Sequence, residues 1–263
     1  MSRAVPPFLG VVMLDTRFPR PPGDIGHPET FARAGMAVRY LRVSDASPTR
    51  VVIEADAALH TPFVQAMQAL AAEGAGLIST SCGFLAAQQP LFASAVPVPV
   101  ISSSLLQCAQ LARPGIVTFD AASLTPAVLQ GASVPIGTPI EGLTPGCELH
   151  RRILRNEAQL DLAAAEQDVV QAAMRLVRRH PDVQNIVLEC TNMPPYRAAV
   201  EKATGRPVHD IETLLIRSWR TRFAAAPRQY AAQRRDPHGH RRGLHANVEI
   251  QGLLVADPGR TRR

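Results

Sequence analysis

Lysine is almost missing from this chain of 263 residues: Lys202 is the only one. Enzymes built on pyridoxal phosphate hold the cofactor on a buried lysine. Lys202 lies in Arg197 to Thr204, which reads as a surface helix, so that chemistry is excluded. Cysteine is also scarce. Four cysteines are too few for a disulfide scaffold and point to free thiols in a reducing compartment. No apolar run is long enough for a membrane span. The best candidate for a leader, Val5 to Leu14, stops at Asp15 with no small-residue cleavage site. The expectation is a cytoplasmic protein with no membrane partner. Aromatic residues make up 5% and form no stripe between basic residues, so no nucleic-acid partner is expected. No GxGxxG follows a strand and no GxxxxGK[ST] occurs, which removes the usual nucleotide cradles. No CxxC or spaced histidine pair offers a metal site.

Excess positive charge is absent from the body of the chain as well. The net charge is +6, but Arg220 to Arg263 alone holds 10 arginines against 3 acids. The preceding residues are close to neutral. Residues 224–263 therefore read as a basic, poorly ordered tail, a solvated extension or else an interaction arm, with one short apolar run at Val248 to Val255.

What the chain does have is a regular alternation of short β-rich runs and helical stretches, with 46% apolar and 19% charged residues. Val11 to Leu14, Val38 to Val43, Gly76 to Thr80, Val96 to Ile101, Gly115 to Phe119, Val134 to Gly137 and Val183 to Glu189 read as strands. Helices are expected over His60 to Glu73, Leu124 to Gln130, Asn156 to Arg179, Pro194 to Thr204 and Asp210 to Trp219. The pattern implies an α/β protein with parallel sheets covered by helices, whose sites lie beyond the carboxyl ends of the strands.

Two of those strand ends look alike. GAGLISTSCG (Gly74 to Gly83) leads an apolar strand into Ser81 and Cys82, and NIVLECTN (Asn185 to Asn192) leads another into Cys190, Thr191 and Asn192. Each cysteine precedes a helical stretch, so one strand–cysteine–helix unit occurs twice, which suggests two related halves. Amides at a helix start favour thiolate over thiol. Two such thiols facing each other could remove a proton from one face of a carbon and return one to the other, inverting a stereocentre without a cofactor. Either cysteine alone could equally be a small buried hydrophobe. Cys108 reads as core, and Cys147 has no partner segment.

These segments resemble the aspartate/glutamate racemase superfamily, which includes glutamate, aspartate and hydantoin racemases and related isomerases and decarboxylases. LECTNMPPY (Leu188 to Tyr196) is similar to the family's Cys-Thr segment and TSCGF (Thr80 to Phe84) to its first-domain cysteine. GVVMLDTRFPRPPGD (Gly10 to Asp24) resembles the first strand and loop, where Asp15 matches an acid beside the first cysteine. GIVTFDAASLT (Gly115 to Thr125) resembles the strand and hydroxyl-bearing loop that open the second domain. The resemblance implies two pseudo-symmetric, doubly wound parallel-sheet domains, residues 1–104 with 206–223 and residues 105–205, with the active site in the cleft between them. Asn192 stands where family amino-acid racemases commonly have histidine, and Gly83-Phe84 where they often have Asn-Thr, which disfavours glutamate racemase and suits a less polar substrate.

The expected catalytic residues are Cys82 and Cys190 as the acid–base pair and Asp15 as their assistant. Arg17, Ser81, Thr118, Ser123, Thr191 and Asn192 are the candidates for substrate binding; Thr118 and Ser123 rest on the resemblance alone. Arg20 is a second possible anion clamp, and His209 is either a site acid or part of a helix cap. The expectation is a cofactor-independent racemase or epimerase, an isomerase acting on a small carboxylate or carbonyl compound of the amino-acid or hydantoin class, with no metal and a homodimer as the family-level assembly. Two alternatives remain. One is a decarboxylase or isomerase that uses a single cysteine, which asymmetry between the two thiols would favour. The other is a two-lobed protein that binds a small acid and does no chemistry.

Overall fold

The computed structural model describes residues 6–223, so the expected tail at 224–263 lies outside the described residues. Two four-stranded parallel sheets form the frame. The first is built from β1 (Phe8–Met13), β2 (Val38–Arg42), β3 (Ala75–Thr80) and β4 (Val100–Ile101) in the order β2-β1-β3-β4. The second uses β5 (Pro114–Thr118), β6 (Ile140–Gly142), β7 (Asn185–Leu188) and β8 (Val208–His209) in the order β6-β5-β7-β8. The two orders are the same, so the halves repeat one topology, in keeping with the doubled strand–cysteine unit of the sequence.

Both faces of the first sheet are covered, which is why its strands are apolar throughout. Phe8 and Val12 of β1 face the large core that also contains Phe63, Met67 and Leu70 of α1 (His60–Ala72). Leu9 and Val11, one residue out of phase, face a second cluster with Ile211, Leu215 and Trp219 of α7 (Ile211–Phe223). Gly10 lets α1 approach closely, since a Cβ there would lie 3.1 Å from Leu70. In the second half α5 (Leu162–Arg179) buries Ala165, Val169, Ala172, Ala173 and Leu176, a stripe at helical spacing, against β5 and β6. The remaining helices are α2 (Gln89–Ala95), α3 (Pro126–Gly131), α4 (Glu148–Leu154) and α6 (Arg197–Thr204). Among the described residues no helix is long and apolar enough to cross a membrane.

The structure corrects the sequence reading in three places. Val134 to Gly137 is a turn, because Pro135 has no N–H for a ladder and Gly137 takes a positive φ of 81°. The edge strand falls later, on Ile140–Gly142. The expected helix over Asn156 to Arg179 begins at Leu162, where Asp161 caps it by accepting from the N–H groups of Ala163 and Ala164 at 3.0 and 3.1 Å. Asn156 itself sits at a positive φ of 51°, outside any helix. The expected return to the first half at residue 206 comes later, since β8 pairs with β7 and only α7 packs beside β1.

Candidate active site

β3 and β7 each lie beside a central neighbour and end at the same side of the molecule, where parallel sheets leave a crevice. The chain beyond β3 is pinned by Ser81, whose Oγ accepts from the N–H of Leu14 at 2.8 Å. The chain beyond β7 is pinned to the first by Thr191, whose hydroxyl donates to the carbonyl of Ser81 at 2.7 Å. A second tie runs from the Ser104 hydroxyl to the carbonyl of Leu188, also at 2.7 Å. These bonds hold the two cysteine-bearing turns against one cavity.

Cys82 and Cys190 both line that cavity and are 7% and 8% exposed. Glu189, Asn192, Gly83 and the rings of Phe18, Phe84 and Phe119 complete most of its wall. Its volume is about 20 Å³, room for about one water. Val52 and Phe84 also border a larger neighbouring cavity of about 240 Å³.

The environments of the two sulfurs differ. The Cys190 Sγ–H donates to Oδ1 of Asn192 at 3.5 Å. Asn192 cannot turn its amide around, because its Nδ2 donates to Asp24 at 2.6 Å. Asp24, 1% exposed, also accepts from Arg20 at 2.9 Å and from the N–H of Gly26 at 2.7 Å. The chain Arg20–Asp24–Asn192 therefore presents an acceptor to Cys190 and favours its protonated form. At Cys82 the nearby N–H groups of Phe84 and Leu85 favour thiolate, and at Cys190 the N–H of Asn192 pulls the same way.

Burial nevertheless dominates both thiols. Desolvation first, and the charge of Glu189 second, push Cys82 up to about 12 against the pull of those two amides. The same two causes raise Cys190 well above the ordinary thiol range. The expectation that helix-start amides lower the thiol pKa is thus overturned: a buried site with a carboxyl beside it outweighs them. Glu189 is pushed up to about 8 by burial, although the Thr118 hydroxyl and the Phe119 N–H pull it down.

No family model matches the chain. A dimethylsulfoniopropionate lyase of Durusdinium sp. clade D is 29% identical over 223 residues, which cover 77% of this chain and 70% of that protein. Dimethylsulfoniopropionate lyase 6 of Emiliania huxleyi (strain CCMP1516) is 30% identical over 233 residues, 78% of this chain and 57% of that protein. Against lyase 5 of the same strain the chain spans 45% of the relative's length. Among solved structures, allantoin racemase from Klebsiella pneumoniae superposes with a TM-score of 0.56 over 82% of this chain and 88% of that one, at 15% identity. A mutant of arylmalonate decarboxylase in a sulfate-associated form gives 0.52 over 77% and 87%, at 18% identity. The chain has the fold of the aspartate/glutamate racemase superfamily.

Within this racemase fold, the residues singled out in the sequence do not all converge. Cys82, Cys190, Ser81, Thr191 and Asn192 border the cavity. Asp15 does not: its half-exposed carboxylate meets Arg42 at 3.5 Å and accepts from the N–H of Asp45 at 3.3 Å, so its place as assistant to Cys82 is corrected. The side chain at the end of β1 that reaches the cavity is its neighbour Leu14. Arg17 is exposed, with its backbone N–H on Asn156, and borders a separate depression with Arg20 and Arg42. Thr118 is buried, and its hydroxyl donates to Glu189 at 2.8 Å. Ser123 donates to Asp120 and lines the larger cavity. His209 bonds the side chain of Asn185, at the start of β7 and away from its carboxyl end.

One cavity residue and one residue behind the cavity wall carry weight that sequence reasoning missed. Glu189 stands directly before Cys190 at the end of an otherwise apolar strand, and an acid there is a visible anomaly. Asp24 follows Pro-Pro-Gly and reads as an ordinary turn residue; nothing local shows that it backs Asn192.

Proposed function

We propose that this protein is a cofactor-independent lyase that uses one cysteine as a base on a small carboxylate, with dimethylsulfoniopropionate as the substrate class. The observation that carries this reading is the asymmetry of the two thiols. The N–H groups of Phe84 and Leu85 pull Cys82 toward thiolate, whereas Cys190 has one such N–H, that of Asn192, and donates its own hydrogen to the Asn192 side chain. A racemase that works in both directions needs each sulfur to take either state; an elimination needs a single base. The relatedness to dimethylsulfoniopropionate lyases supports the same choice.

The reaction balances with the groups present. The Cys82 thiolate takes a hydrogen from the carbon next to the carboxylate. The electron pair of that C–H bond becomes the new carbon–carbon double bond, and the C–S bond breaks with its electrons on the departing dimethyl sulfide. The products are acrylate and dimethyl sulfide, and the proton on Cys82 returns to solvent. A cationic substrate also answers the burial penalty, because a positive charge within about 4–6 Å favours the thiolate. Phe84 and Phe119 border the cavity, and an aromatic ring that presents its face attracts a sulfonium group. The cavity is smaller than this substrate, so Phe18, Val52 or Phe84 has to move for it to enter.

The test is release of dimethyl sulfide from dimethylsulfoniopropionate by the purified protein and two variants. Cys82→Ala is expected to lower turnover by more than about a thousandfold, within the range of removing a general base together with its positioning. Cys190→Ser, which keeps a donor toward Asn192, is expected to cost less than about a hundredfold. If Cys190→Ser instead removes all turnover and the wild-type protein places solvent deuterium at the stereocentre of an amino acid or hydantoin, the two-base isomerase reading takes its place.

A further inference from the structure

The side chain of Glu189 is fully buried, yet only half of its carboxyl group is used. Oε2 accepts from the Thr118 hydroxyl at 2.8 Å. Oε1 has no hydrogen-bond partner and lies over Gly83, so close that a Cβ there would sit 2.2 Å from it. Around it are the thiols of Cys82 and Cys190, the Thr118 hydroxyl and the N–H of Phe119. The nearby arginine, Arg20, is bound to Asp24 and offers Glu189 no ion pair. A buried carboxyl with no counter-ion keeps its proton, in agreement with the upward shift described above. On Oε1 that proton has no acceptor among the described residues, and buried polar atoms without partners are rare enough to need a reason.

The cavity supplies the reason. Removing a hydrogen beside a carboxylate piles negative charge onto the carboxylate oxygens, and a fixed donor at those oxygens lowers the barrier. A carboxylic acid kept neutral by its surroundings is such a donor. Glu189 borders the same small cavity as both sulfurs, and its free oxygen lies over Gly83, the residue next to Cys82.

We infer that Glu189 works as a neutral carboxylic acid whose Oε1–H donates to a carboxylate oxygen of the substrate and holds the charge that develops there. The α-hydrogen goes to the sulfur of Cys82, while the Glu189 proton stays between the two oxygens. This inference rests on the reading that a carbon acid is deprotonated in this cavity, and it holds whether or not elimination follows.

Infrared spectroscopy of the intact chain tests it without requiring turnover. The difference between wild type and Glu189→Gln at about pH 7 should contain the carbonyl band of a protonated acid, lost on raising the pH well above about 8. Adding 4-methylpentanoate, the inert carbon isostere of dimethylsulfoniopropionate, should move that band to lower frequency as a hydrogen bond forms. In the lyase assay, Glu189→Gln keeps an N–H donor and should lose less than about tenfold, and its rate should go on rising above about pH 8, where the wild type levels off. Glu189→Leu should lose more than about a hundredfold. A missing band, a band that ignores the isostere, or a wild-type rate that climbs steadily through about pH 8 to 9 overturns the inference. A band that shifts in a protein that releases no dimethyl sulfide would leave this inference standing and remove the elimination reading; release of dimethyl sulfide without the band would do the reverse.

Discussion

At position 83 a hydrogen atom is all that fits. Any side chain there would overlap Oε1 of Glu189 and the carbonyl of the same residue, at 2.2 and 2.5 Å. The first is the end of a buried side chain and the second a backbone atom just beyond β7, so relief would have to displace the turn that carries Cys190. Gly83→Ala is therefore expected to lower turnover by more than about a hundredfold, since a misplacement of about 1 Å at a reacting centre can have that effect. A folded variant with wild-type kinetics would show that the turn yields more easily than its packing implies. Asn192 illustrates how little a residue type reveals alone. The sequence marks it as a hydrogen-bonding residue in place of a histidine, but only the Asp24 contact tells which end of its amide faces the sulfur.

Among elements, those with strong local signals are the ones legible in the sequence. Helix α1 lies within one residue of its expected range, and α6 ends at Gly205 in the left-handed conformation that a helix-stopping glycine adopts. Short edge strands carry too few residues for a pattern, so β8 escaped notice and β6 was displaced onto a proline turn. The long helix of the second half shows how one cap outranks periodicity. The sequence reading runs the helix back to Asn156, yet Asp161 accepts from two free N–H groups and starts α5 there. Asp161→Ala should destabilise the fold by about 1 kcal/mol, within the usual range for a lost N-cap. Urea denaturation measures this, and an unchanged midpoint would mean that the buried stripe from Ala165 to Leu176 holds the start of α5 unaided.

For the molecule as a whole, the buried acid at the centre couples stability to pH. The folded pKa of Glu189, about 8, lies above its ordinary value of 4.5. A group shifted in this direction contributes stability that is fully present below about pH 4.5 and is lost as pH rises through about 8. Cys82, raised to about 12 from 9.0, extends the decline at higher pH. Wild-type protein should accordingly be less stable at about pH 9 than at about pH 6, and Glu189→Gln should flatten that slope. Equal slopes in paired denaturation curves would count against a neutral buried Glu189.

The sequence by itself determined the α/β class, the doubled strand–cysteine unit and therefore the two strand ends at which to look. These follow from periodicity and turn chemistry, which act over a few residues. Tertiary structure alone decided that Leu14 rather than Asp15 reaches the cavity, that Thr118 serves Glu189, and that the Asn192 side chain turns its oxygen to the Cys190 thiol. Those outcomes depend on contacts between residues far apart in the chain, such as Asn192 with Asp24 and Thr191 with Ser81. Burial then raises Glu189 and both thiols, and burial is a property of the packed whole.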